Sequence, residues 1–390
     1  MAKICSISTI WLTISTFWLQ QLFFLTDNGF GNTIVCDSPR PQEIKRVGSK
    51  HIHMERSYGP WSTLTGIWQL YLFFRREKFD MIQYATPKAA LISSIAGALA
   101  RVPVRLYCQW GIRYVGFSGW RRILFKIIEK LVCILSTHIS PDSNGNRQFS
   151  IEEGLYTAEK SSVVHKGSAN GVSLERFFLG NKSVWRAEIR RELGWDSSMT
   201  VFGWVGRVTR DKGVGELLRA FLVLSEQRPD IRLLMIGGWE EHPCLSEAVL
   251  ATVKNHPQIA YVGSKSDVER YYATMDVLVA PSYREGFGSV ALEAQAMEVP
   301  VVLSDIPGPR EAMIPGETGI LVPAKDSETL AAAMLFLYNE KERRLQMGKA
   351  GRRFVEENFE QSFFWEKVLE HRQNLLAKAG IYGVKHETSN

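Results

Sequence analysis

Two short loops hold most of the residues that could do chemistry in this 390-residue chain. The first reads Gly206-Arg207-Val208-Thr209-Arg210-Asp211-Lys212-Gly213, three cations set between glycines that let backbone turn or come close to a ligand. A diphosphate suits such a loop. The second reads Pro281-Ser282-Tyr283-Arg284-Glu285-Gly286-Phe287-Gly288-Ser289 and leads into an apolar run beginning at Val290. Gly286 and Gly288 allow backbone amides to approach a ligand, Ser289 is placed to cap the helix that follows, and the free N–H groups of a helix start attract phosphate. Glu285 lies in this loop and Glu293 about one turn into the helix. Both carboxylates are expected to point into one crevice, near a sugar and a ribose respectively, because a carboxylate accepts two hydrogen bonds from adjacent hydroxyls. Taken singly, each piece also reads as an ordinary solvated turn, with Glu285 closing it and Glu293 pairing a surface cation. It is the combination that points to a ligand.

These loops need elements to position them. Through the second half, apolar runs of strand length alternate with segments of helical period: 201–206 then 214–226, 231–237 then 245–255, 259–262 then 267–275, 276–281 then 289–298, with further strands at 301–304 and 319–322. Such alternation implies βαβ crossovers and a parallel sheet covered on both faces. The first half repeats the pattern with strands at 3–8, 32–36, 50–54, 81–85, 104–109 and 137–141, and helices at 15–26, 62–77, 88–100, 119–135 and 143–153. Between the halves, 167–199 carries an Asn170-Gly171 turn signal and charged sequence without strand alternation, which places a hinge there. The tail from 341 to 379 reads as helix throughout, and Phe354, Val355, Phe359, Phe363, Phe364, Trp365, Val368 and Leu369 require it to cover a surface on the first domain. The fold expected is α/β: two doubly wound domains facing a central cleft, with function concentrated in loops that follow strands.

Composition sets limits. With 45% hydrophobic and 23% charged residues the chain is an ordinary folded protein of two domains, disordered only in the polar residues after Tyr382. A net charge of +6 favours anionic partners without choosing among them, and no nucleic-acid-binding module accompanies it. The five cysteines, Cys5, Cys36, Cys108, Cys133 and Cys244, form no C-x-x-C pair and have no histidine at ligand spacing. They read as buried apolar side chains in a reducing compartment, and neither a metal site nor a cofactor is expected. The apolar N-terminus, 1–25, is interrupted by Ser6, Ser8, Thr9, Thr13, Ser15, Thr16, Gln20 and Gln21, and reads as strand, loop and amphipathic helix rather than an export signal. Isolated histidines such as His51, His53, His138 and His165 receive no catalytic role.

The ordered set GRVTRDKG, PSYREGFGSVALEAQAMEVPVV with its glutamates eight apart, and GETGILVP at 316–323 resembles the family 4 retaining glycosyltransferases, whose GT-B fold pairs two Rossmann-like domains. The resemblance implies that Arg207 and Lys212 clamp the diphosphate of a nucleotide sugar, Glu285 contacts the donor sugar, and Glu293 holds the ribose. Gly286, Phe287, Gly288 and Ser289 then complete the donor site, and Glu285, Arg207 and Lys212 carry the chemistry without a metal. It also divides the chain into an acceptor-binding domain over 1–170, a linker over 171–198, a donor-binding domain over 199–355, and over 356–390 a returning helix with a polar tail. The first half, through 84–114, 119–133 and 165–177, more loosely resembles the members that build bacterial capsular polysaccharide, O-antigen and other lipid-linked glycans. Two departures stand out. Many relatives have a glycine-rich loop after the first strand, where this chain has Thr9 to Ser15, and many have a histidine near the reacting carbon, where Gln109-Trp110-Gly111 stands.

The implied reaction moves a hexose or N-acetylhexosamine from a UDP-sugar to a polyprenyl-diphosphate-linked glycan, with retention, at the inner face of the cytoplasmic membrane. Trp120, Arg121, Arg122, Lys126 and Lys130 share one expected helix with Ile123, Leu124, Ile127, Ile128 and Leu131, a pattern suited to a peripheral membrane contact. The same helix could instead turn its apolar stripe onto its own sheet. Two other functions fit the donor residues: a nucleotide-sugar epimerase, which would turn over donor without acceptor, and a regulator that binds nucleotide sugar without catalysis.

Overall fold

The computed structural model describes residues 1–37, 46–54, 59–239 and 247–381. Cys244, the first two residues of the 245–255 helix and the polar tail beyond 381 lie outside them. The chain divides into two compact units, Met1–Asn170 with Phe364–Asn390, and Gly171–Phe363.

In the first unit the strands are β1 (Lys3–Ile7), β2 (Gly31–Cys36), β3 (Gly48–His51), β4 (Met81–Tyr84), β5 (Val104–Gln109) and β6 (His138–Pro141). They pair in parallel in the order β3-β2-β1-β4-β5-β6. Its helices are α1 (Trp11–Thr13), α2 (Leu19–Asp27), α3 (Pro60–Glu77), α4 (Pro87–Leu99), α5 (Gly119–Leu135) and α6 (Asn144–Glu152). Strand residues alternate between two cores, as a period of two requires. Ile4, Ile34, Met81 and Leu106 face one core, shared with Trp18 and Leu22; Cys5, Val35, Ile82 and Tyr107 face the other, shared with Leu70, Ile92 and Val132. The four described cysteines are buried and lie outside any disulfide.

The second unit has α7 (Lys182–Glu192), then β7 (Thr200–Val205), α8 (Val214–Ser225), β8 (Ile231–Ile236), α9 (Glu247–Asn255), β9 (Ile259–Tyr261), α10 (Val268–Tyr272), β10 (Val277–Ala280), α11 (Ser289–Ala296), β11 (Val301–Ser304), β12 (Gly319–Val322), α12 (Ser327–Asn339) and α13 (Lys341–Asn358). Its sheet, also parallel, has the order β12-β11-β10-β7-β8-β9. Both sheets therefore follow the 3-2-1-4-5-6 winding, in which strand order reverses between the first and fourth strands and leaves a crevice at their carboxyl ends.

Four differences from the sequence expectations have physical causes. The turn expected over Thr9–Ser15 is helical from Trp11, through a π-helical stretch at Ile14–Trp18, because no glycine or proline interrupts it and Ile14 and Trp18 are fully buried. The third strand is Gly48–His51 rather than 50–54; it lies at the sheet edge, pairing Thr33 to Cys36 of β2. The segment expected as a linker, 171–198, is folded into the second unit: Arg186 and Arg190 of α7 both bind Asp276, and Ile189 is buried. The helix expected to run unbroken to 379 is two, α13 and α14 (Gln361–Lys378). At the break Phe359 is fully buried, its carbonyl accepts from the Val172 N–H at 2.8 Å, and the Gln361 N–H donates to the Val172 carbonyl at 3.1 Å. Backbone bonds to Val172 at this point replace those that would continue the helix.

α14 packs on the first unit. Leu375 and Leu376 join the core of α2, and the buried Arg372 donates to Gln83 Oε1 at 3.0 Å.

Candidate active site

In the second unit the reversal falls between β7 and β10, so the loops that leave these strands, 206–213 and 281–288, lie side by side. Gly213, at φ +68°, begins α8, and a Cβ there would lie 2.0 Å from the Pro281 carbonyl oxygen. Only glycine lets the loops approach so closely. Gly308, at φ +92°, plays the same part against the Gly286 carbonyl, where a Cβ would sit 2.1 Å away. The Tyr283 N–H donates to the Asp211 carbonyl at 2.8 Å.

Side chains continue the connection. Lys212 pairs with Glu285, which also accepts from Ser282 Oγ at 2.9 Å. One residue back in each loop, Arg284 bonds Asp211 Oδ2 at 2.9 Å, while Thr209 Oγ1 donates to Asp211 Oδ1 at 2.6 Å. Burial raises the Asp211 carboxyl, but the Thr209 bond and the cations of Arg284, Lys212 and Arg207 outweigh it and hold it below the usual range. The Tyr283 hydroxyl reaches Glu216, itself paired with Arg219. Arg207 stands exposed at the start of the first loop.

The structure thus joins Lys212 and Glu285 directly and places Arg207 in the same loop. Glu293 has a different anchor: half-buried in α11, it accepts from the Tyr272 hydroxyl at 2.9 Å. Burial raises its carboxyl, against the opposing pull of Tyr272 and Arg176. Two details of the sequence reading change. Ser289 is the first helical residue of α11 and makes no cap; Gly288, at φ +95°, is the N-cap and supplies no side chain. The Ala291 N–H turns back to the Gly288 carbonyl at 2.9 Å, which leaves no side-chain cap on the Ser289 and Val290 amides that begin the helix. The Phe287 side chain points into the core and packs on Phe359 with ring centroids 5.4 Å apart, which leaves its backbone alone for a ligand.

Asp211, Arg284, Tyr283 and Glu216 were not singled out from sequence. A signal existed: an acid precedes Lys212 where a base precedes Glu285, opposite charges at matching offsets in two loops.

The first unit carries the other stretches of interest. Gln109 is buried, donates to Glu129 Oε1 at 2.7 Å and accepts from Tyr156 at 2.9 Å and Ser150 at 3.2 Å. Burial raises the Glu129 carboxyl, against the bonds from Gln109 and Tyr107. Trp110 packs on Trp18 and Phe17 at 5.0 and 5.4 Å. Gln109 is thus interior, while Trp110 and Gly111 are half-buried. On α5 most of the apolar stripe does not turn to its own sheet: Trp120, Ile123, Ile127 and Ile134 are 69, 64, 61 and 58% exposed, while Ile128 packs on the core and Glu129, Val132 and Cys133 are buried. A groove of about 700 Å³ runs along it, lined in part by Arg122, Ile123, Lys126, Ile127, Lys130 and Leu131. Among the described residues no helix is long and apolar enough to cross a membrane, and no cluster of three histidine, cysteine or acidic side chains could hold a metal.

Residues 186–354, which contain both loops, match the family described as glycosyl transferases group 1. The capsular polysaccharide biosynthesis glycosyltransferase CapM of Staphylococcus aureus is 32% identical over 361 residues, 92% of this chain and 93% of that protein. The chain belongs to the group 1 glycosyl transferases. A second relative of this glycosyltransferase is the N,N'-diacetylbacillosaminyl-diphospho-undecaprenol alpha-1,3-N-acetylgalactosaminyltransferase of Campylobacter jejuni, 24% identical over 330 residues, 81% of this chain and 84% of that one. Among solved structures, HepE from Anabaena, crystallised with UDP and glucose, superposes with a TM-score of 0.78 at 16% identity, covering 96% of this chain and all of that one, a likeness of fold. The two-domain GT-B architecture and the family read from the sequence are both confirmed.

Proposed function

We propose that this glycosyltransferase moves a hexose or N-acetylhexosamine from a UDP-sugar to a polyprenyl-diphosphate-linked glycan during assembly of a surface polysaccharide, with retention at the anomeric carbon and without a metal. The observation that carries the donor half is the Lys212–Glu285 pair at the β7/β10 reversal, beside the uncapped start of α11. As the bond from the anomeric carbon to the diphosphate breaks, the sugar takes on oxocarbenium character and the leaving group gathers charge. Lys212, Arg207 and the Ser289 and Val290 amides that begin α11 stabilise that charge, electrostatic help in place before the reaction. Glu285 receives sugar hydroxyls and Glu293 the ribose. The leaving diphosphate accepts the proton of the attacking hydroxyl on the same face, which gives retention with no covalent enzyme intermediate.

The names of the two relatives support the acceptor half, one acting in capsular polysaccharide biosynthesis and the other on a diphospho-undecaprenol substrate. The exposed apolar face of α5, bordered by Arg121, Arg122, Lys126 and Lys130, supports a peripheral contact with the inner membrane face, each cation adding roughly 1 kcal/mol near an anionic leaflet. α3, which packs on α4 as α5 does, presents Trp61, Leu64, Trp68 and Leu72 in the same exposed way.

The test is a donor panel offered to purified protein with a membrane lipid extract, following sugar into lipid and reading the anomeric configuration of the product. Incorporation from one donor, lost in Glu285→Ala and Lys212→Ala, supports the proposal. Isomerised donor without acceptor would show an epimerase, and tight donor binding without turnover a regulator.

A further inference from the structure

Acids and bases alternate along and across the two donor loops. Asp211 and Lys212 face Arg284 and Glu285, so each charge has an opposite neighbour within its own loop and another across it. The Asp211–Arg284 pair lies one residue from the pair assigned to donor chemistry. Asp211 is fixed from three directions: its carboxylate by Thr209 and Arg284, its carbonyl by the Tyr283 N–H. The Arg284 Nε is buried and has no hydrogen-bond partner among the described residues, so the Asp211 pair, rather than general hydrogen bonding, sets the place of this guanidinium.

We infer that Arg284 is a positioning residue for the donor: by pairing with Asp211 it keeps that carboxylate from competing with the diphosphate for Arg207 and for Lys212, which already shares its charge with Glu285. This rests on the donor reading above. Asp211 carries a full negative charge in the loop that must bind an anion, which only repels the ligand unless it is neutralised. Arg284 makes the direct ion pair with it from outside the first loop, while Lys212 pairs with Glu285 instead. The two partners then have effects of opposite sign. Removing Arg284 frees an acid to compete with the diphosphate for Lys212 and Arg207; removing the acid takes away a competitor.

Calorimetric titration of the full chain with UDP, and with ADP, GDP and TDP for other bases, tests this beside donor kinetics. Arg284→Met should weaken nucleoside diphosphate binding and raise the donor KM about tenfold, with kcat little changed. Asp211→Asn should bind at least as tightly as the parent. The double variant should return to within about threefold of the parent, and Arg284→Lys should lie between. A merely structural pair predicts that both single variants lose binding and the double does not recover, and that result would overturn the inference. Parent protein that binds none of the four nucleotides would remove the donor reading and the inference together; parent binding with Arg284→Met unchanged would remove the inference alone.

Discussion

The two sheets have one winding and two kinds of crevice. At the β1/β4 reversal of the first unit the facing groups are hydroxyls: the Thr9 N–H donates to Thr86 Oγ1 at 3.1 Å and their hydroxyls lie 2.8 Å apart. Lys88, in the first turn of α4, is buried and donates to the Thr63 hydroxyl at 2.6 Å. At the β7/β10 reversal the facing groups are Asp211, Lys212, Arg284 and Glu285. The winding supplies a place for a ligand in both units, and the side chains of the flanking loops decide whether that place suits a diphosphate.

Four perturbations, in decreasing order of consequence, separate the two. Phe359→Ala removes a fully buried ring beneath Phe287 and should cost about 3–5 kcal/mol of stability, seen by denaturant titration, with the loss concentrated in the second unit by hydrogen exchange. Lys212→Ala should lower the transfer rate on the order of 10²-fold with the thermal midpoint nearly unchanged. A similar loss from altering Thr9 or Thr86 would erase the distinction between the crevices.

Acid should weaken the first unit before the 206–213 and 281–288 loops. Ser162 Oγ lies 2.7 Å from His138 Nε2 and 2.8 Å from His371 Nε2 of α14. Burial, with Lys378, Arg372 and Arg147, lowers His138 to about 4, and burial takes His371 well below its ordinary value. Unfolded histidines bind protons near pH 6.5, so between about 6.5 and 4 the unfolded state holds more protons and stability falls as pH drops. Asp211, held below the usual carboxylate range, keeps its charge through that window. Hydrogen exchange at pH 7 and 5 should therefore show α14 opening more readily at the lower pH, and His138→Gln should flatten the difference. The smallest effect is at Thr86, a non-glycine residue at φ +63°. Thr86→Ala keeps the strained backbone and loses the hydroxyl pair, at about 1 kcal/mol, whereas Thr86→Gly relieves strain of similar size and should unfold near the parent midpoint.

Much of this was legible in the sequence because the winding repeats and the pattern is strong. Short continuous apolar runs such as Val277–Ala280, rich in β-branched residues and closed by a proline, read as strands buried on both faces, and the loops after them follow. The direct Lys212–Glu285 contact was not legible, since 73 residues separate them and only the strand order brings their loops together. The break at Phe359 was hidden for a similar reason: its cause is Val172, far away in sequence, taking the backbone bonds. The exposure of the α5 stripe could not be read either, because a period of 3.6 shows that a helix has an apolar face and not what covers it. Ser289 was misread as a cap because serine favours that position, whereas Gly288 occupies it through a positive φ.

A crystal structure of the chain soaked with UDP and a donor sugar would decide which crevice takes the nucleotide. The diphosphate should lie between Lys212 Nζ, Arg207 and the Ser289 and Val290 amides that begin α11, with a sugar hydroxyl on Glu285. A nucleotide seated instead at the β1/β4 reversal, against Thr9 and Thr86, would contradict that placement.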